Sequence, residues 1–369
     1  MSRDVKITGV DSYEVIHQIS DNLADSTRLV DKVGFVVVDI RTDSGLHGNA
    51  VTYHEQGGEA IQSFIKHVIE PGIMERDPME TTALWEENFR LIRGVARKGL
   101  AFLALSVIDM ALWDIKGKML NQPVYRLLGG NRKEVPIYAS GGWTSYSRER
   151  LVTEAGEMVA RGYKKIKIKV GVEGGQNPRE DLRRVAAVRD AVGPDISIMI
   201  DANNIWTSAT AVRFANQVGE YDILFFEEPV PADDIPGLAR FRSGTDLPLA
   251  TGEHEYTRFG VRDLVTAGAV DILQSDAAKC GGYTETLRMN AIAQAWNITF
   301  APHAMEHMHM HLLSAAPNGA FLERLLMFEP VVEKTFVNPP IPKNGMMILP
   351  DGPGLGLEYK IDEIKRIRK

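Results

Sequence analysis

Three carboxylates stand at or just beyond the ends of three successive apolar runs: Asp201 after Ile196 to Ile200, Glu227 after Ile223 to Phe226, and Glu253 after Leu247 to Ala250. The spacing is 26 residues both times. Oxygen donors from three separate elements suit a hard divalent cation that keeps open positions for a substrate, and Mg2+ is the natural candidate. Asn203, two residues beyond Asp201, can add a neutral oxygen or touch the substrate. Glu228 points to the opposite face if strand geometry continues past Glu227, which makes it a supporting or structural group.

Two lysines, Lys167 and Lys169, alternate with Ile166, Ile168 and Val170. On a strand both lysines face the interior and the β-branched residues face the other way; Lys165 shares their parity but sits at the strand's solvent-exposed start. Adjacent ammonium groups lower each other's proton affinity, which favours one of them as a general base. His303 can be the complementary acid or base, with Asp276 fixing its tautomer and raising its basicity. Base on one side, acid on the other and metal beneath is an arrangement that abstracts a proton next to a carboxylate and stabilises the enediolate. Glu323, if protonated, would donate a hydrogen bond to the carboxylate oxygen on which charge develops; its pKa must then be high.

The elements that position these groups follow from the texture of the chain. After Tyr138, short apolar runs alternate with amphipathic helices such as Glu180 to Val192 and Tyr283 to Trp296, the pattern of a parallel sheet covered by helices. Strands are expected at 166–170, 196–200, 223–226, 247–250, 270–273, 298–301 and 321–322, and an ionisable group follows at the end of each: Lys169, Asp201, Glu227, Glu253, Asp276, His303 and Glu323. In a closed β/α barrel the strand C-termini converge on one mouth, so one charge per unit at that position surrounds a single pocket. The first third is different. Gly34 to Ile40, a Thr42-Asp43-Ser44-Gly45 turn and His47 to Thr52 read as a β-hairpin, and helical spacing runs from Pro78 to Leu128. After the barrel, Pro339-Pro340-Ile341-Pro342 and Asp351-Gly352-Pro353-Gly354 are turn-rich and carry the chain back to the first domain.

Several function classes are excluded. With 369 residues, 44% hydrophobic and 25% charged, the chain is an ordinary globular protein of roughly two domains, or a barrel with an appendage. A net charge of −7 leaves no basic arm for nucleic acid. The single cysteine, Cys280, rules out an internal disulfide and suits a reducing compartment, and the charged start, Met1 to Lys6, is no signal peptide, so a cytoplasmic location is expected. The most apolar run, Leu100 to Trp113, is interrupted by Asp109 and is too short to span a bilayer, so it is a buried helix and no membrane partner is expected. His303, His307, His309 and His311 imitate a zinc cluster, but side chains two apart on a helix diverge by about 200° and cannot meet on one ion. His254 either reaches the substrate or packs at the mouth.

Taken together, Lys167-Ile168-Lys169, Asp201-Ala202-Asn203, Glu227-Glu228-Pro229, Gly252-Glu253, Ser275-Asp276 followed by Lys279-Cys280-Gly281-Gly282, Pro302-His303 and Leu322-Glu323 resemble the enolase superfamily, mandelate racemase subgroup, over nearly the whole chain. Enzymes of that superfamily use a Lys or His base with one or two magnesium ions. The resemblance implies an α/β fold: a modified TIM barrel, (β/α)7β, spanning 129–335, with an α+β capping domain made of 1–128 and a returning C-terminal segment, 336–369. It implies one Mg2+ per active site on Asp201, Glu227 and Glu253, and Lys169 opposite the His303–Asp276 dyad as the two acid/base groups. Lys167 would lie against the substrate carboxylate and Glu323 would be the electrophilic donor, while Lys279 reads as structural. Assembly into a homo-oligomer is expected from the resemblance alone.

The stretch from Ala301 to Glu306, with His309, His311, Phe321-Leu322-Glu323 and Phe328-Glu329-Pro330, looks most like galactarate/talarate dehydratases. A polar lid agrees: Ser20, Asp21, Asp25, Ser26, Thr27 and Arg28 in one loop, Thr52, Tyr53, His54 and Glu55 in another, because buried sugar hydroxyls need partners. Tyr53, His54, His254, Asn203 and Lys167 are the expected substrate contacts. The expected reaction is dehydration of an acid sugar to a 2-keto-3-deoxy acid. The alternatives are a 2-hydroxy-acid racemase or epimerase, a sugar-lactone cycloisomerase, and a non-catalytic acid-sugar-binding relative.

Overall fold

The computed structural model describes residues 5–367. Residues 1–4, which carry part of the signal-peptide argument, lie outside the described residues. The chain opens with an antiparallel sheet of three strands in the order β1 (Ile7–Ala24), β2 (Leu29–Thr42) and β3 (His47–His54). The expected hairpin is β2–β3, registered from Gly34 opposite His54 to Arg41 opposite His47. β1 has no counterpart among the expected strands. Its second half, His17 to Asn22, is exposed or half-buried on both faces, so no apolar alternation marks it. Helix Leu100–Met119 packs on β3 and also on the helix Gly282–Ala295, with most of its length buried. No helix among the described residues is long and apolar enough to cross a membrane.

Eight parallel strands follow: β4 (Glu134–Gly141), β5 (Lys165–Lys169), β6 (Ser197–Asp201), β7 (Ile223–Glu227), β8 (Leu249–Thr251), β9 (Ile272–Leu273), β10 (Thr299–Phe300) and β11 (Leu322–Leu325). They are joined in chain order through one helix each, and β11 returns to pair with β4. Hydrogen bonds between Phe300 and Asn318 to Ala320 close the ring. This is the (β/α)7β barrel, with one strand more than the seven read from sequence. The missed strand, β4, lies where Val135, Ile137 and Ala139 alternate with Pro136 and Tyr138, a short pattern broken by a proline.

Inside the ring, Tyr138, Met199, Phe225, Ala250, Ile272, Ala301 and Phe321 form a separate apolar cluster. Each large side chain fully buried there stabilises the barrel by roughly 1.5–3 kcal/mol. Because strand side chains repeat every two residues, this layer dictates the next. Met199 lies two residues before Asp201, Phe225 before Glu227, Ala301 before His303 and Phe321 before Glu323. The plug thus forms a floor, and the ionisable groups stand above it at the C-terminal mouth. Ile166, Ile168 and Val170 are buried on the other side, under the helices, as their alternation with the lysines requires.

The C-terminal part touches both units. Helix Glu329–Thr335 packs on β1 and β2, Met346–Ile348 pairs antiparallel with β4, and helix Ile361–Ile367 lies against β1.

Candidate active site

A cavity of about 690 Å3 opens at the C-terminal mouth of the barrel, beneath the tip of the β1–β2 hairpin and the end of β3. Lys169, Asn203, Glu253, His254, Lys279 and His303 line it from the barrel; Asp25, Thr27, Arg28, Tyr53, His54 and Glu55 line it from above. A depression of similar size, about 710 Å3, lies at the other end of the barrel around Leu224, Leu247 and Phe321. Among the described residues no His, Glu or Lys lines it, and its Arg242 and Asp271 pair with each other at 2.6 Å, so the chemistry belongs to the first cavity.

On one wall, Lys169 Nζ donates to Asp201 Oδ2 at 2.5 Å and Lys167 Nζ bridges Glu227, at 2.6 and 2.7 Å, to Glu323 Oε1 at 2.7 Å. Burial opposes both ammonium charges, but the carboxylates outweigh it: Asp201 for Lys169, Glu227 and Glu323 for Lys167. Both proton affinities are therefore raised, not lowered as the adjacency of the two lysines suggests. The neighbouring charge that counts is the carboxylate in contact, not the second ammonium. Glu323 departs from expectation for the same reason. Burial pushes its carboxyl up, yet Lys167 and His303 draw it down to about 2, so in this state it accepts hydrogen bonds, including one from the Ala304 N–H at 2.9 Å.

On the facing wall, His303 Nδ1 lies 3.0 Å from Asp276 Oδ2 and its Nε2 lies 3.1 Å from Glu253 Oε2. Against burial, Glu253 and then the Asp276 hydrogen bond raise the imidazole to about 9. Asp276 is held well below the usual carboxylate range, because hydrogen bonds from His303 and His309 overcome its burial. The Ala278 N–H adds a hydrogen bond to its Oδ1 at 2.8 Å. In the ring, β5 and β9 are four strands apart either way round, so Lys169 and Asp276 come from opposite sides.

The expected metal ligands are all buried and all present at the mouth. Glu227 is pushed up by burial despite its contact with Lys167, and the charges of Asp201, Glu323 and Glu253 push it the same way, although among the described residues the ligand oxygens of Asp201, Glu227 and Glu253 do not all gather within 4.8 Å of one another. An all-oxygen donor set of buried carboxylates fits a hard divalent cation. Asn203 supports it: its backbone N–H donates to Asp201 Oδ1 at 2.8 Å, while its own buried Oδ1 has no hydrogen-bond partner among the described residues. Gln274, which the sequence reading did not single out, donates to Glu227 Oε2 at 2.5 Å; it lies two residues before Asp276 on the same strand-parity face, which is the signal that marks it.

Glu228 does not keep strand geometry. Its φ of +42° turns the chain, and its carboxylate meets Asn204 at 2.5 Å and His254 at 3.5 Å on the rim. Glu228, Glu253 and His254 consequently have ligand atoms within 4.8 Å of one another, closer than strand alternation predicts. At Gly252 a φ of +125° lets the chain bend into Glu253, and a Cβ there would meet Leu273 Cδ1 at 2.8 Å.

The three downstream histidines diverge as expected. His307 reaches the Pro340 carbonyl, His309 the Ala304 carbonyl and His311 the Leu355 carbonyl. Of the lid residues, Ser20 and Asp21 do not line the cavity; they sit along the β1 ribbon beside a separate surface depression. Ser26 docks the hairpin tip through a 2.6 Å hydrogen bond to the Ala202 carbonyl. Thr52 is buried beneath the cavity wall and donates to the Ala278 carbonyl at 2.6 Å. His54 lines the cavity but is itself almost fully buried, 3.1 Å from Glu14, and burial lowers it to about 4. Tyr53 brings its hydroxyl to 3.5 Å from His303 Nδ1.

A (β/α)7β barrel with an antiparallel cap, carrying lysines on one wall, a His–Asp dyad on the other and carboxylates between, defines a class of acid/base enzymes. The chain is an enzyme of the enolase superfamily: residues 150–364 match the enolase C-terminal domain-like family, and residues 13–129 match the mandelate racemase / muconate lactonizing enzyme N-terminal domain. It is 32% identical to a D-galactarolactone cycloisomerase of Agrobacterium fabrum, over 99% of both chains. It is 31% identical to an L-talarate/galactarate dehydratase of Salmonella typhimurium, over 88% of this chain and 80% of the relative. A racemase from Streptomyces coelicolor, solved with bound magnesium, superposes with a TM-score of 0.92 at 28% identity, covering 98% of this chain and 99% of the other.

Proposed function

We propose that the protein is a Mg2+-dependent acid-sugar dehydratase acting on a galactarate/talarate-like or related aldarate or aldonate. The observation that carries the reading is the placement of Lys169 and the His303–Asp276 dyad on opposite walls of one polar cavity, with the carboxylates between them. Asp201, Glu227 and Glu253 would hold one Mg2+ per active site, which when bound supplies a Lewis acid for the substrate carboxylate. Lys169 Nζ and His303 Nε2 now lie against Asp201 and Glu253, two of the residues that would hold the cation, and would be available to substrate once those carboxylates bound it.

Lys169 or His303 then removes the proton alpha to the carboxylate, according to the configuration at that carbon. Lys167 holds the carboxylate, and Glu323, once protonated, donates to the oxygen on which charge develops. His303 in its protonated form delivers a proton to the departing β-hydroxyl as the C–O bond breaks. Water leaves, and the enol tautomerises to the 2-keto-3-deoxy acid. Residues 1–128 and the returning segment 336–369 form the cap over this chemistry, with 129–335 as the barrel. The protein acts as a homo-oligomer in the cytoplasm.

The deciding experiment is proton NMR in D2O with Mg2+ and a panel of aldarates, aldonates, their lactones and simple 2-hydroxy acids. Loss of the α-proton with growth of a 3-deoxy signal is the expected result. Exchange without that product would make the protein a racemase or epimerase, and lactone conversion alone a cycloisomerase. Binding of Mg2+ and ligand with no exchange would make it a non-catalytic relative.

A further inference from the structure

By sequence alone Lys279, three residues beyond Asp276, reads as structural, yet it lines the cavity. Its side chain is only 11% exposed. The other two buried lysines of the site are tightly held, at 2.5 to 2.7 Å from carboxylate oxygens. Lys279 is not: among the described residues its ammonium makes no hydrogen bond, and the nearest acidic oxygen, Glu253 Oε1, is 3.7 Å away. Tyr53 covers it from the cap, with the ring centroid 5.9 Å from Nζ. The ammonium faces the cavity, so its three donors are free to meet a ligand there.

The backbone holds Lys279 firmly in place. The N–H groups of Lys279 and Cys280 donate to the Asp276 carbonyl at 2.9 and 2.8 Å, and Thr52 of the cap clamps the Ala278 carbonyl at 2.6 Å. The same turn thus orients the partner of His303 and presents an unspent cation beside it. The remaining cation on the lid is committed: Arg28 forks onto Glu55 at 2.6 and 2.9 Å.

We propose that Lys279 is a substrate-binding residue, donating to a hydroxyl oxygen of the acid sugar on the His303 side of the cavity. The inference rests on the acid-sugar reading above. A hydroxyl fits better than a second carboxylate, because Glu253, Asp276 and Glu228 already act on this ammonium. A hydroxyl can accept from Lys279 and still donate to one of those carboxylates; another anion is repelled by all three.

The test compares wild type, Lys279→Met and Lys279→Arg as Mg2+-loaded full-length proteins, using the acid sugar that the NMR panel identifies. Lys279→Met should raise KM about tenfold to a hundredfold, the range for a hydrogen bond to a charged donor, with a smaller change in kcat. The arginine variant should recover part of the loss. The same loss should appear in the Kd of that acid sugar, measured calorimetrically in a His303→Asn background. Mg2+ affinity and Tm should stay at wild-type values. Removing the hydroxyl from the substrate should cost wild type as much as the mutation does, and cost Lys279→Met nothing more. Unchanged KM and Kd in Lys279→Met overturn the inference and leave the dehydratase reading standing. A parallel fall in Mg2+ affinity also overturns it, making Lys279 a strut for Glu253. A wild-type protein that neither binds nor converts any acid sugar removes the functional reading and this inference with it.

Discussion

Lys169 is held by Asp201, His303 lies between Asp276 and Glu253, and both line the cavity, which is the setting of a group whose protonation its neighbours can change. Replacing His303 by Asn or Lys169 by Ala should abolish turnover of at least one acid sugar while Mg2+ still binds, as judged by NMR product formation and calorimetric titration; full activity in both variants would sink the assignment. Glu227→Gln should behave differently. It removes charge from a carboxylate shared by Lys167 and Gln274, so Mg2+ affinity should fall at least about tenfold, a loss measurable by titration without any substrate. At this scale the sequence was informative where strand parity held, as for Lys167, Lys169, Asp201 and Glu227. It was misleading where the backbone leaves strand geometry, as at Glu228, and where contact charges override chain neighbours, as for the two lysines and Glu323.

The decisive element beyond the barrel is the hairpin tip at residues 25–28. Asp25 Oδ1 accepts from the Thr27 and Arg28 N–H groups at 2.6 and 2.9 Å, which shapes the turn, and Ser26 fastens it to the barrel mouth. The mouth is shaped to receive it: Gly171 has a φ of +95°, and a Cβ there would come 2.6 Å from Ser26 Cβ. Gly171→Ala should therefore lift the tip. The expected outcome is a KM several-fold to tenfold higher with a folded barrel, together with faster proteolytic cleavage between β1 and β2. A variant with wild-type KM and wild-type cleavage would show that the contact does not control access. The reason this lid was only half legible is that its residues serve different ends: Asp25, Thr27 and Arg28 face the cavity, Ser26 anchors, and Ser20 and Asp21 lie elsewhere.

Across the whole molecule, cap and barrel are tied by a buried carboxylate. Asp109, in the middle of the apolar helix Leu100–Met119, accepts from the Thr284 N–H at 3.0 Å and its hydroxyl at 2.6 Å, capping the barrel helix Gly282–Ala295. Burial raises its carboxyl to about 7 despite those hydrogen bonds. The folded state then binds the proton more tightly than the unfolded chain. The associated stability is fully present below about pH 4 and is lost as pH rises through about 7. Relative to Asp109→Asn, which cannot ionise, wild type should lose Tm steadily between pH 4 and 7; parallel Tm curves would contradict this. Asp109→Leu should cost about 1–3 kcal/mol near pH 4, where ionisation of Asp109 does not yet weigh against the wild type, because the Thr284 N–H loses its acceptor.

What the sequence determined by itself is the barrel and its ring of ionisable groups. Both depend on local rules: side chains alternate along a strand, one βα unit follows another at nearly constant length, and strand C-termini share one mouth. Tertiary structure decided the rest. Where Lys279 sits, which groups hold Glu323, and which lid residues face the cavity all depend on groups that are far apart in the chain. Tyr53 meets Lys279, Thr52 meets Ala278 and Lys167 meets Glu323 only after the cap has docked and the barrel has closed, and no periodicity in the sequence records those distances.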